Sequence, residues 1–260
     1  MVLERLVSLK VAIKQPVWMF IIGGIISISC LTVSFLIFQD SVGLLANLLV
    51  TIAMTPFMLN LIRYEEAMDE SLKSRKDLNF IQRHGDILKI YTAFFCGMIL
   101  TLSILYIILP ESFSQKLFSD QINEITAIRG KMASPDTFFK IITNNVSVLL
   151  LSFLLSFLFG AGAVFILSWN ASVLATAIGT LAKEFGGIKA LPMAILPFFP
   201  HGSLEILAYF IGGIAGGLVS VAVTRRKSLG FLFVVKDSLK LMAVSIALLV
   251  FAGLLETIML

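Results

Sequence analysis

The 260-residue chain is short of charge: Asp, Glu, Lys and Arg make up 14% of it, while 58% is apolar. A soluble domain carries about 25% charged residues, so this chain lacks the polar coat that a water-facing surface needs. That deficit excludes a soluble enzyme and a nucleic-acid binder. Cysteine is equally scarce. Cys30 and Cys96 each sit inside an apolar run, so neither a disulfide framework nor a paired-cysteine metal site is present. Two histidines, His84 and His201, fall short of the ligands that a zinc centre needs. No GxxxxGK[ST] phosphate cradle occurs. Ser203 lies two residues from His201, on a different face of any helix, which argues against Ser/His nucleophilic catalysis. The expectation is no enzyme activity, no cofactor, no metal and no nucleic-acid partner.

What the chain does hold is apolar sequence in membrane-length runs. The total approaches what seven spans of about 20 residues need to cross ~30 Å of hydrocarbon. The fold class expected is all-α: a polytopic transmembrane helix bundle of about seven crossings, with the lipid bilayer as its first partner. In residues 1–16, Leu3, Leu6, Val7 and Lys10 fall at helical spacing and read as an amphipathic lead-in. A signal peptide is the competing reading, but Val17 to Phe38 is span-length and lacks a small-residue cleavage pattern. After a turn at Gln39-Asp40-Ser41, Val42 to Ile62 returns, with a kink expected at Pro56. Residues 63–89 hold six basic and six acidic residues and read as a solvated helical linker, with His84 an ordinary surface residue. The third crossing runs from about Ile90 to Leu109 and stops at Pro110. Phe118, Ile122 and Ile125 then predict a helix lying on the other membrane face, ended by Gly130.

Ser134-Pro135-Asp136 has the chemistry of a helix start. The helix it opens is expected to reach about Ser168, with Trp169 marking an interface. Asn170 to Ala182 is then only 13 residues, and Lys183-Glu184-Phe185-Gly186-Gly187, Pro192, Pro197 and Pro200 interrupt the apolar sequence beyond it. This predicts a broken or re-entrant helix region around 170–205, tolerated where protein or water satisfies the backbone. Gly202 to Val223 and Leu239 to Ile258 complete the crossings. With seven crossings, fourteen of the twenty basic residues share the side of the N-terminus. The positive-inside rule then places that terminus in the cytoplasm and the chain in the cell membrane.

Ionisable residues within spans cost about 2.5–3.5 kcal/mol on insertion scales, so each one asks for a reason. In Pro200-His201-Gly202-Ser203-Leu204-Glu205, His201 and Glu205 are four apart and can pair on one helix face. Pro200 and Gly202 suggest a helix that begins inside the membrane, aiming free N–H groups into the bundle. Two readings stand together: Gly202 as N-cap with Glu205 satisfying its own helix start, or a working site that binds a cation or carries a proton. Asn144, Asn145 and Asn170 either glue helices together or line that site. Glu256 lies near the end of the last span. The overlapping pairs Gly212/Gly216 and Gly213/Gly217 form a small-residue face for close helix packing, within the chain or in a homodimer.

Pro200-His201-Gly202-x-x-Glu205 with a glycine-rich helix after it resembles the stage II sporulation protein M family. Asn144-Asn145, Gly160, Asn170 and the acid Glu256 extend the resemblance over roughly residues 90–260. Ala171 departs from it, standing where the family commonly has glycine. Residues 1–89, two spans and a charged linker, look like an addition to that core. The resemblance implies a membrane scaffold, since the naming member holds peptidoglycan-degrading partners, and hence membrane or envelope protein partners. The residues themselves point first to translocation of an ion, proton or small solute at His201, Glu205, Asn145, Asn170 and Glu256. Asn144, Pro200 and Gly202 would support that site. The alternative is a non-transporting scaffold.

Overall fold

The computed structural model describes residues 7–38, 40–71, 80–132, 137–224 and 228–259. Every regular element among them is helical. The elements are α1 (Leu9–Lys14), α2 (Val17–Ile37), α3 (Val42–Ser71), α4 (Phe80–Ile108), α5 (Glu111–Leu117) and α6 (Ser119–Met132). They continue with α7 (Thr137–Phe159), α8 (Ala163–Glu184), α9 (Leu191–Ile195), α10 (Phe199–Thr224) and α11 (Ser228–Met259). Seven of these, α2, α3, α4, α7, α8, α10 and α11, are long and apolar enough to cross a membrane.

The helices pack as two groups. In one, α2 lies on α3 and α4, and α8 packs against both α3 and α4. In the other, α10 lies between α7 and α11. Contacts of α7 with α8 and of α10 with α3 join the two groups. The most enclosed span is α10, with 72% of its apolar window buried against 28% in α7 and in α11. Its Ala and Gly content permits that position, because small side chains let neighbours close in on several faces.

Several expectations are corrected in detail. The fourth crossing ends at Phe159 rather than Ser168. Gly160 adopts φ +76°, a left-handed conformation natural to glycine, and the chain turns back on itself. Ser156 Oγ then accepts the Ala163 N–H at 3.0 Å, satisfying one of the first donors of α8. The fifth crossing is therefore a full 22 residues, Ala163–Glu184, with Trp169 and Asn170 inside it rather than at its edge. The broken stretch shrinks to residues 185–198. It opens at Gly186 (φ +115°), passes through a single 3-10 turn at Gly187–Ala190 and includes the short α9.

The 63–89 linker is helical at both ends, and residues 72–79 lie outside the described residues, as does the Ser134-Pro135-Asp136 start. Leu3 and Leu6 of the lead-in also lie outside them; its described part is α1, capped by Ser8, whose Oγ accepts the Val11 N–H. The helix after Pro110 forms as two pieces, and Gly130 lies within α6 rather than ending it. This pair is not a purely surface element: Phe118 is fully buried, and Gln121 Nε2 donates to Ser172 Oγ of α8 at 3.2 Å. At the far end of the same helices, Lys183 Nζ donates to Leu109 O, Glu111 Oε2 and Ser114 Oγ, tying α8 to the α4–α5 corner.

Candidate functional site

The second helix group carries the polar cluster. Asn145, early in α7, is 6% exposed, and its Nδ2 donates to Glu205 Oε1 of α10 at 2.6 Å. Asn144 Nδ2 donates in turn to Asn145 Oδ1 at 3.4 Å. On the other side of Glu205 stands the carboxyl of Glu256 from α11, close enough for the two acids to act on one another. Three spans thus meet at Asn145, Glu205 and Glu256. Each side chain reaches the cluster because α10 is flanked by α7 and α11 at this level.

The Asn145 amide already fills one lone pair of the Glu205 carboxyl. Asn144, Asn145 and Glu205 thus form a hydrogen-bond chain from α7 to α10. Among the described residues no group of three or more His, Cys, Asp or Glu is placed to hold a metal ion.

The other expected members are placed differently. His201 lies one turn before Glu205 on α10, about 6 Å along the axis, but no ion pair joins them. Its Nδ1 is buried and has no hydrogen-bond partner. Gly202 is not an N-cap: its N–H donates to Phe198 O at 2.9 Å, so α10 has already begun, at Phe199-Pro200. Glu205 consequently turns to α7 and α11 instead of capping its own helix. Asn170 is not part of the cluster either, because its Nδ2 donates to Ile166 O within α8 at 2.8 Å.

The glycine face is occupied from within the chain. A Cβ at Gly212 would strike Leu149, and one at Gly216 would strike the backbone of Phe153 and Phe157, all on α7. At Gly213 the neighbour is Ala163, and at Gly217 it is the Gly160 carbonyl. These glycines bring α7 and the α7–α8 turn close to α10, which in turn fixes Asn145 against Glu205.

Two polar contacts go beyond what the sequence led us to expect. His84 is fully buried, correcting its assignment as a surface residue, and its Nε2 lies 3.5 Å from Asp237 Oδ2 of α11. Helical spacing held the signal: His84 falls on the stripe of Ile87 and Tyr91, both fully buried. Asn47, an amide within the second apolar run, donates to Phe165 O at 3.1 Å and accepts from Ser168 Oγ, pinning α3 to α8.

The stage II sporulation protein M family model matches residues 86–259, beginning at the foot of α4 and including every residue of the carboxyl cluster. No curated protein and no solved structure matches the chain. The match covers two thirds of the sequence, and the chain is a multi-pass membrane protein belonging to the stage II sporulation protein M family.

Proposed function

We propose that the protein moves protons across the cell membrane, with the Glu205–Glu256 pair as the intramembrane proton site. The observation behind this reading is the carboxyl–carboxyl contact between α10 and α11, held by the Asn145 amide from α7. A carboxyl pair inside a span is costly unless its groups share hydrogens, and such pairs mark proton pathways. The donors around Glu205 favour a proton over a metal cation, because Asn145 presents N–H to the carboxyl where a cation site would present oxygen. His201, with an unengaged ring nitrogen one turn nearer the start of α10, is the next station for the proton. The chemistry is proton exchange without covalent steps, so the protein is not an enzyme in this reading.

With the N-terminus in the cytoplasm, α10 enters from the outer side and the carboxyl pair lies nearer the outer face. Reconstituted liposomes loaded with a pH dye and driven by a membrane potential test the proposal. Wild type is expected to acidify or alkalinise the lumen, and Glu205→Gln is expected to abolish the signal at equal reconstitution. Proton flux that persists in Glu205→Gln overturns the role of the pair. Silence in wild type under either polarity favours the scaffold reading, in which the same cluster only locks α7, α10 and α11 together. That reading predicts an envelope protein that co-purifies and is lost when residues 110–130 are altered.

A further inference from the structure

The helix that carries Glu205 also lines a cavity on a different stripe. Glu205, Tyr209, Gly212 and Gly216 share one face of α10, whereas Phe199, Ser203, Ile206 and Phe210 share another. The second face borders a cavity of about 560 Å³. Phe95, Cys96 and Ile99 of α4 form the facing wall, Leu174 and Ile178 of α8 close one side, and Ile195 and Phe198 of the broken stretch close an end. The broken stretch is held there by its own small core, in which Leu191 and Ala194 pack on Ile178 and Ala182.

Three properties identify the occupant. No charged residue lines the cavity; its polar groups are the hydroxyls of Thr92, Ser103 and Ser203 and the Cys96 thiol, and Ser103 already donates to Ala175 O. An interior water needs two to four polar partners, so water does not fill a space of this size. Thr92, Cys96, Phe199 and Ser203 are exposed, and Cys96 lies at the midpoint of the His84–Ile108 span, so the opening faces sideways at hydrocarbon depth. A helix with its side chains is about 10–12 Å across, and 560 Å³ would admit roughly one turn of it. The space is too small for the span of a second copy and has the character of hydrocarbon. We propose that it is a binding site for one acyl chain of a bilayer phospholipid. A flexible chain can fill an irregular apolar slot, and its removal would leave unfilled space against Phe95 and Phe210.

The test uses the full-length protein, delipidated in detergent and titrated with palmitoyl-oleoyl phosphatidylglycerol under native mass spectrometry. Wild type is expected to retain one lipid per chain and to melt at a higher temperature with the lipid bound. Ser203→Trp and Ile99→Trp fill the slot from opposite walls, and each is expected to weaken retention by about tenfold or more. Leu158→Trp, on an exposed position of α7, leaves retention unchanged. Ser203 is exposed, so its replacement preserves the fold even where Ile99→Trp does not. Retention insensitive to Ser203→Trp overturns the proposal. So does failure of wild type to hold any lipid, or a wild-type dimer that Ser203→Trp converts to monomer.

Discussion

Asn145 and Glu205, sixty residues apart in the chain, are joined by a 2.6 Å hydrogen bond between α7 and α10. Asn145→Leu keeps the volume but removes the donor, leaving a carboxyl oxygen unsatisfied among apolar neighbours. The expected loss is about 1–3 kcal/mol, read as a lower melting temperature in detergent. An unchanged melting temperature would show that the bond contributes nothing to holding α7 on α10.

The close approach of α7 and α10 predicts opposite outcomes at two glycines of one helix. A methyl at Gly216 meets the Phe153 backbone, which cannot swing aside, so Gly216→Ala is expected to cost about 1–3 kcal/mol. A methyl at Gly202 meets nothing within 4 Å, and Gly202→Ala is expected to stabilise the helix by roughly 0.5–1 kcal/mol. Paired thermal melts decide it, and equal effects at the two positions would contradict the packing.

Asp237 Oδ2 of α11 lies 3.5 Å from His84 Nε2 of α4, and the two side chains are largely screened from solvent. Removing one partner of a buried pair takes away compensation for the other's desolvation. Asp237→Ala is expected to destabilise by on the order of 3 kcal/mol, with denaturant-dependent loss of helicity in detergent as the measurement. A loss within about 0.5 kcal/mol, typical of a surface substitution, would mean that the contact is not structural.

Outside the spans, hydrogen bonds from Gln115 and then Lys183 hold the Glu111 carboxyl below its ordinary value of 4.5. A carboxyl lowered on folding adds stability that is present above the unfolded value and is lost as pH falls through the folded one. Glu111 is 62% exposed at its side chain, so solvent screening keeps the contribution under about 1 kcal/mol. The melting-temperature gap between wild type and Glu111→Gln is therefore expected to be small at neutral pH and to close below pH 4.5. A gap that widens on acidification would reverse the assignment.

The polar residues of the α7–α10–α11 cluster were mostly legible as out of place in apolar runs, but their grouping was not. Glu205 and Asn145 stand out because an acid and an amide inside apolar runs are expensive. Glu256 reads equally well as an interfacial residue until α11 is seen packed along α10. Asn170 has the same sequence signature as Asn145, yet it bonds its own helix, because Ile166 O lies one turn away. His201 and Glu205 share a face by spacing, yet their side chains do not pair, since Glu205 is drawn to groups on two neighbouring helices. The turn at Gly160 was masked by the apolar residues on both sides of it: hydropathy is continuous there, and only the left-handed glycine reverses the chain.

The sequence by itself determined that this chain spans a membrane about seven times, because transfer of apolar side chains and the cost of charge in hydrocarbon are local properties. It also determined which residues are out of place in lipid. The tertiary structure alone decided which of them meet, that α7 rather than a second copy fills the glycine face, and that His84 is inside. Those outcomes depend on which helices become neighbours, and neighbourhood is set by packing between segments far apart in the chain.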